Sequence, residues 1–169
     1  GRLVPSFPVK GTGNLVPSRP VGRLVPSFPV KGTGNSDYVS SHMAFPSKYW
    51  IVGFIEAEGC FFIVHKGDGR YVHCFGITQK LDIHILEYLQ NIYGITAAIK
   101  HKNQNFFSLE TTNSRSIEYI IKYFDGTLKG IKSLEYRIWA RSYNKYKGNN
   151  QKLQKVQTLL NRIRNRHKS

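Results

Sequence analysis

The sequence predicts an α+β domain in which helix, two strands, helix, two strands and helix follow one another, with extra helices after them. Aromatic and β-branched runs lie on both sides of a Gly-Asp-Gly-Arg turn, which is the pattern of a β-hairpin. Apolar residues recur at three- and four-residue spacing between the paired runs, as they do in helices. The chain of 169 residues is long enough for one such domain.

Residues 1–42 differ in composition from the rest of the chain. The stretch G-R-L-V-P-S-F-P-V-K-G-T-G-N at 1–14 returns at 22–35, and six of the seven prolines lie in this segment. Such a density of proline and glycine sustains neither helix nor sheet, so we expect a disordered, repeat-containing extension before a domain at 43–169. The only methionine is Met43, so the numbered start is expected to be a fusion, a processed form or an in-frame extension.

The first half of the predicted domain is a helix, a hairpin and a second helix. Ser47 is a suitable N-cap for a helix over residues 48–58. Strands at 60–66 and 71–79 surround the turn, and a helix over 81–93 is closed by Gly94. Alternation along the first strand packs Phe61, Ile63 and His65 under the first helix. The opposite face of the hairpin then carries Phe62, Val64, Lys66, Val72, Cys74, Gly76 and Thr78.

The second half repeats the pair of strands and ends in helices. Strands are predicted at 95–101 and 106–112 around a turn at 102–105. A helix capped by Ser114 ends before the Asp125-Gly126 pair. Two further helices, at 133–146 and 151–166, have basic outer faces.

The charge of the chain points to a polyanionic partner. Lysine and arginine outnumber aspartate and glutamate by 25 to 10, and after Glu135 there are ten basic residues and no acid. No apolar run approaches the roughly 20 residues that span a bilayer, so nucleic acid is favoured over a membrane. Cys60 and Cys74 are the only cysteines and lack zinc-site spacing, so neither a disulfide scaffold nor a zinc site is indicated.

The most informative stretch is W-I-V-G-F-I-E-A-E-G-C-F-F at residues 50–62. Gly53 and Ala57 share one helix face, so a second helix could approach closely there. Glu58 lies in the last turn, where the helix dipole disfavours a carboxylate by roughly 0.3–1 kcal/mol and a cation is expected opposite it. Two such helices side by side would bring together two carboxylates, which a divalent metal ion could bridge. The alternative is a buried helix that ends in a solvated glutamate with Gly59 as its C-cap.

Residues 51–59 resemble the nine-residue signature of the LAGLIDADG homing endonucleases, with both aspartates replaced by glutamate. The core of that family is a similar αββαββα unit, whose hairpins form one curved antiparallel four-stranded sheet that straddles DNA. The resemblance covers roughly residues 45–141. It implies a site-specific endonuclease that hydrolyses double-stranded DNA with Mg²⁺ or another divalent cation.

The resemblance also implies roles for individual residues. Glu58 and Gly59 would hold the metal ion. The F-G-I-T-Q-K stretch at 75–80 is similar to the family segment that contributes an active-site glutamine, here Gln79. A catalytic lysine is implied at Lys129 or Lys132, and Lys132 is favoured because K-S-L-E-Y leads directly into a helix, as in the family.

One motif per chain implies a homodimer on a near-palindromic DNA site, since each cut needs carboxylates from two motif helices. Gly53, Phe54 and Ala57 are the expected interface residues. Glu56 lies about 200° around the helix from Glu58, so it is expected to have a structural role. Alternatively, the chain is half of a two-motif protein.

Position on the strands and positive charge together select the residues expected to contact DNA. They are Lys66, Arg70, Thr78, Lys80, Lys100, Lys102, Asn105, Ser108 and Arg141. The first hairpin is otherwise apolar on this face, which indicates contacts with thymine methyl groups, recognition of DNA shape or a member that has lost cleavage. The basic helices beyond Glu135 would contact phosphates without regard to sequence.

Two other functions fit the same sequence. Proteins similar to this family act as maturases that bind group I intron RNA, and the basic surface suits folded RNA as well as DNA. The second alternative is a non-catalytic DNA-binding protein that keeps the fold. Because similar proteins are intron-encoded in organelles, the expected location is mitochondrial, with the chloroplast as the alternative.

Overall fold

A computed structural model describes residues 46–80, 82–103 and 105–168, so the predicted extension at 1–42 lies outside the described residues. The predicted order of elements is confirmed. The elements are α1 (Lys48–Glu58), β1 (Gly59–His65), β2 (Tyr71–Lys80), α2 (His84–Ile92), β3 (Lys100–Lys102), β4 (Phe106–Thr111), α3 (Ser114–Phe124), α4 (Gly130–Tyr146) and α5 (Asn150–Arg166). None of these helices is both long enough and apolar enough to cross a membrane.

Most predicted boundaries agree within one residue, whereas α2 begins three residues later and α4 three residues earlier than predicted. Two further differences have identifiable reasons. The strand predicted at 95–101 is only Lys100–Lys102, because Gly94 takes a left-handed conformation and the Ile95 N–H donates to the carbonyl of Gln90, 2.9 Å away. Ile95 is therefore a buried residue at the end of α2. The cap of α3 is Asn113, whose side chain accepts from the N–H groups of the next turn.

The four strands form one antiparallel sheet in the order β1-β2-β4-β3. Odd-numbered residues of β1 and β2 face the helices, as the rings of Phe61 and Phe75 show by their contacts with Phe124 of α3. Even-numbered residues of the strands lie on the opposite face, which we call the distal face. His65 departs from the prediction, because it lies exposed at the end of β1.

The motif helix α1 passes directly into strand β1. Ser47 caps the helix as predicted, with its hydroxyl accepting from the Trp50 N–H at 3.2 Å. Gly59 ends it, with an extended backbone and an N–H that donates to Ile55. A Cβ atom on Gly59 would lie 2.5 Å from the Ile55 side chain and 2.8 Å from its carbonyl oxygen. The close approach, rather than a left-handed conformation, therefore requires glycine here.

Helices α4 and α5 cover the outer edge of β1, which has no partner strand within the described sheet. The Phe61 N–H donates to Glu135 at 3.1 Å, and the Phe61 carbonyl accepts from Arg164 at 3.0 Å. Gln157 donates to the carbonyl of Ile63 at 2.8 Å. Side chains thus satisfy backbone groups that would otherwise form an open sheet edge.

His73 joins the sheet to α4 in a buried polar contact. Its Nε2 atom lies 2.7 Å from the Ser142 hydroxyl, which itself donates to the carbonyl of Trp139. The residue is 4% exposed, and burial lowers the pKa of His73 to about 4. The folded protein therefore holds this imidazole neutral.

Acid should destabilise the fold through His73. The imidazole binds a proton below about pH 6.5 in the unfolded chain but only near pH 4 in the folded one. Protonation of His73 should therefore not reduce the free energy of unfolding above pH 6.5, and should reduce it by up to about 3 kcal/mol as the pH drops to 4. Urea denaturation should show a smaller loss in His73→Gln, whereas the exposed His167→Gln should keep the wild-type loss.

Gly59→Ala should destabilise the protein by about 1–3 kcal/mol, because the added methyl group meets Ile55 at the junction of α1 and β1. The matched control is Gly67→Ala in the first hairpin, where a Cβ atom meets nothing within 4 Å. Thermal denaturation of both variants is the measurement. Equal stabilities would contradict the steric account of this junction.

Candidate active site and nucleic-acid interface

The end of the motif helix meets the start of α4. Glu58 is half-buried in the last turn of α1. The next residue, Gly59, accepts a hydrogen bond through its carbonyl oxygen from the Lys132 ammonium group, 2.6 Å away. The Lys132 ammonium group therefore contacts the residue that follows Glu58, although Lys132 and Gly59 are 73 positions apart in sequence.

Lys132 is held in place by a buried carboxylate. Its Nζ atom lies 3.2 Å from Glu135, which is 2% exposed and also pairs with Arg164 at 3.2 Å. The thiol of Cys60 lies 3.7 Å from the same carboxylate, and burial raises the pKa of that thiol. Sequence reasoning missed Glu135 and Arg164. The one available signal was that Glu135 is the last acid before ten cations.

The second candidate lysine has a different environment. Lys129 is exposed, and its backbone N–H donates to the Glu56 carboxylate at 2.6 Å. Glu56 thus ties the start of α4 to α1, which is a structural role of the kind predicted. Of the two lysines, the structure brings Lys132 rather than the Lys129 side chain into contact with the residue after Glu58.

Gln79 lies at the same end of the sheet as Glu58. Gly59 is paired with Ile77, and Gln79 is two residues further along β2. The side chain is buried on the face that the helices cover. Glu58, Gln79 and the contact of Lys132 with Gly59 therefore lie toward the same end of β1 and β2.

The donor set limits how this chain could hold a metal ion. Glu58 offers hard carboxylate oxygens of the kind that Mg²⁺ and Ca²⁺ prefer. The Gly59 carbonyl does not fit, because an ammonium group already occupies it at 2.6 Å and would oppose a divalent cation. Across residues 46–80, 82–103 and 105–168, no three His, Cys, Asp or Glu side chains gather as a metal site.

The predicted interface residues are covered in the single chain. Gly53, Phe54 and Ala57 are all buried, and the Phe54 ring stacks on Trp50 with centroids 5.4 Å apart. Helix α1 is apolar around most of its circumference, as a core helix is. The face of Gly53 and Ala57 is therefore buried in the single chain.

The distal face carries its exposed polar groups on β2, β3 and β4. Thr78, Lys80, Lys100 and Lys102 are exposed there, and Lys102 lies 4.0 Å from the carboxylate of Glu110. The other predicted contacts lie in hairpin turns. Asn105 is in the β3–β4 turn, Lys66 and Arg70 bracket the β1–β2 turn, and Arg70 pairs with Asp68 at 2.6 Å.

Several residues predicted to face the duplex are not available on that face. Ser108 is 2% exposed, and Cys74 and Gly76 are also buried. A Cβ atom on Gly76 would lie 3.1 Å from the Phe62 ring, so neighbouring side chains close over this part of the strand. Strand alternation predicts the correct face of the sheet for these residues. It does not predict that neighbouring side chains bury them there.

Arg141, the remaining predicted DNA contact, lies on α4 and not on the sheet. Its neighbours Trp139 and Ser142 turn toward β1 and β2 and contact Phe62 and His73. Arg141 is exposed on the opposite side of α4. It therefore points away from the sheet, and its contact with DNA stays a prediction.

Comparisons with known proteins agree with this architecture. A relative from Schizosaccharomyces pombe, described as a probable intron-encoded endonuclease Cox1-I1b, is 35% identical over 128 residues, which is 72% of this chain and 33% of the relative. A probable intron-encoded endonuclease aI3 from Dictyostelium citrinum is 36% identical over 75 residues, 44% of this chain and 29% of the relative. The chain thus spans about a third of the length of these relatives.

Solved structures show the same fold at low identity. The homing endonuclease I-TnaI matches with a TM-score of 0.52 and 17% identity over 69% of this chain and 99% of its own. I-SmaMI bound to cleaved DNA matches with a TM-score of 0.57 and 22% identity over 69% of this chain and 43% of its own. The model of the LAGLIDADG endonuclease family matches residues 51–143. Because that match covers more than half of the 169 residues, the chain belongs to the LAGLIDADG endonuclease family.

Proposed function

We propose that this protein is a homing endonuclease that cuts double-stranded DNA with a divalent cation, Mg²⁺, as a homodimer on a near-palindromic site. One observation carries the proposal: Glu58 ends the motif helix beside Gly59, whose carbonyl accepts from Lys132 at 2.6 Å. The carboxylate proposed to bind a metal ion is thus followed directly by the residue that accepts from the Lys132 ammonium group, which is proposed to bind a phosphate.

The charge of the chain and its neighbours support DNA as the substrate. The formal net charge is +15, and exposed lysines lie on the distal face of the sheet. Two proteins with this fold are found with DNA, namely I-SmaMI bound to cleaved DNA and I-GzeII in complex with a DNA target. We place the duplex of this protein on the distal face.

The proposed metal ion would be held by Glu58, without Gly59. A bound divalent ion lowers the pKa of coordinated water and stabilises the departing oxygen of the scissile phosphate. Mg²⁺ commonly uses one or two carboxylates together with substrate phosphates, so one carboxylate from each of two chains suffices. I-SmaMI, one of the structural neighbours, is described as bound to an uncleaved target in the presence of calcium ions.

The remaining roles fall to side chains of this chain. An ammonium group has three donors, and Lys132 uses two of them on Gly59 and Glu135. The third is left for a phosphate oxygen, where it would offset developing negative charge. Gln79 is proposed to orient the attacking water from the same end of the sheet.

A second motif helix must come from outside the single matched unit. The unit corresponds to 99% of the I-TnaI chain but only 43% of the I-SmaMI chain, so the same fold occurs alone and as part of a longer chain. We propose that a second copy of this chain supplies the helix, with Gly53, Phe54 and Ala57 at the interface.

We further propose a mitochondrial location. The relative from Schizosaccharomyces pombe takes its name from Cox1, a mitochondrial gene, and that from Dictyostelium citrinum is likewise described as intron-encoded. Fractionation of the source cells, with detection of the protein in purified mitochondria, tests this location.

Glu58→Gln should abolish cleavage while DNA binding persists, because the amide keeps the shape of the side chain but loses its charge. We expect a fall of at least about 100-fold in cutting of a library of palindromic duplexes with Mg²⁺. The matched control is Glu56→Gln on the same helix, whose side-chain carbonyl can still accept from Lys129. A wild-type protein that cuts nothing but binds an intron transcript tightly would favour the maturase.

Mixing wild-type and Glu58→Gln subunits should produce inactive mixed dimers. If each cut needs a carboxylate from both chains, activity at constant total protein follows the square of the wild-type fraction. An equal mixture should therefore keep about one quarter of the activity, against about one half for independent monomers. Titration of the mixture after subunit exchange measures the exponent, and a linear response would exclude the proposed dimer.

A further inference from the structure

Three cations form a stripe along α4. Arg137, Arg141 and Lys145 follow one another at four-residue spacing, and all three are exposed. Residues four apart lie one above the other on a helix, so the stripe runs about 12 Å along one face. We call these three residues the α4 stripe.

The α4 stripe faces away from the sheet. The other side of α4 is buried, where Glu135 contacts Phe61, Trp139 contacts Phe62 and Ser142 contacts His73. Helix α4 therefore stands between the stripe and the sheet. The stripe therefore points in a different direction from the exposed lysines of the distal face, as two separate phosphate-binding surfaces would.

The cations of the α4 stripe are not paired with acids. Glu118 accepts from Tyr143 and Asp125 lies near Tyr136 on the same helix. In the part of the chain that the structure describes, however, Arg137, Arg141 and Lys145 form no ion pair, whereas Arg164 pairs with Glu135. A solvated helix face usually mixes both signs of charge, so this surface is suited to a polyanion.

The side chains around the stripe select the form of the polyanion. The exposed residues of α4 that the structure describes include no aromatic ring, so unpaired bases would have nothing to stack on. Cations spaced along a helix suit the phosphates of a double helix instead. Duplex DNA that flanks the target is present wherever this protein meets its target.

We propose that the α4 stripe binds a second segment of double-stranded DNA through its phosphates, without regard to sequence, while the target occupies the distal face. That the target occupies the distal face rests on the proposed function. One protein molecule would then hold two duplexes at once, which allows direct transfer between segments.

The test is a bridging assay with the full chain. A random-sequence duplex of about 30 base pairs is fixed to beads, protein is added, and a fluorescent duplex of unrelated sequence follows at about 50 mM salt. Wild type should retain the fluorescent duplex. The triple variant Arg137→Gln, Arg141→Gln, Lys145→Gln should remain on the beads but retain at least about tenfold less fluorescence, with a salt slope reduced by up to about three.

A matched variant separates the two surfaces. Lys80→Gln, Lys100→Gln, Lys102→Gln removes the same charge from the distal face and should weaken protein capture by the beads. Arg141→Gln alone should give an intermediate loss of bridging, and all these exposed substitutions should leave the thermal midpoint unchanged. Bridging by the α4 triple variant equal to that of wild type would overturn the inference.

Other outcomes locate the failure. If an RNA hairpin displaces the second duplex at a concentration at least about tenfold below that of competing DNA, the stripe is an RNA site and the inference is overturned. If wild type is not captured by the beads at all, this inference fails, because a site that ignores sequence would bind a random duplex. The proposed function is judged separately by cleavage of the palindromic library. Bridging that depends on the stripe, in a protein that cuts no duplex, would overturn only the nuclease.

Discussion

The open edge of β1 is the constraint on which the rest of the structure depends. Because β1 begins where α1 ends, its first residues must be fixed if the end of the motif helix is to be fixed. Glu135 does this by accepting from the Phe61 N–H, and its buried charge requires the two cations Lys132 and Arg164. Since Lys132 also donates to Gly59, the contacts that close the sheet edge place an ammonium group against the residue that follows Glu58.

The two glutamates of the motif divide the work by their positions on the helix. Glu56 points to α4 and accepts from the Lys129 N–H, which sets where α4 begins. Three residues later on α4, Lys132 is in position to reach Gly59. Glu58 lies about 200° away around α1, so it cannot share this contact with Lys129. The hydrogen bond from the Lys129 backbone to Glu56 thus helps to position Lys132, which contacts the residue after Glu58.

Local signals made most of the fold predictable. Ser47 and Gly59 mark both ends of α1, and alternation identified the faces of the first hairpin. Contacts between distant residues were not predictable in this way, since Glu135 and Arg164 meet Phe61 from 74 and 103 positions away. For Arg141, positive charge indicated exposure but not which side of α4 faces the sheet.

The distal face is divided into two chemically different parts. Near β1 it is apolar and closely packed, since the Phe62 ring covers Gly76 and burial raises the pKa of Cys74 to about 12. Near β3 and β4 it is exposed and polar, with Lys102 beside Glu110. Recognition of base edges by hydrogen bonds needs exposed donors and acceptors. For the duplex proposed to lie on this face, such recognition is therefore confined to the β3–β4 side. Toward β1, and hence toward Glu58, recognition must depend on apolar contact and DNA shape.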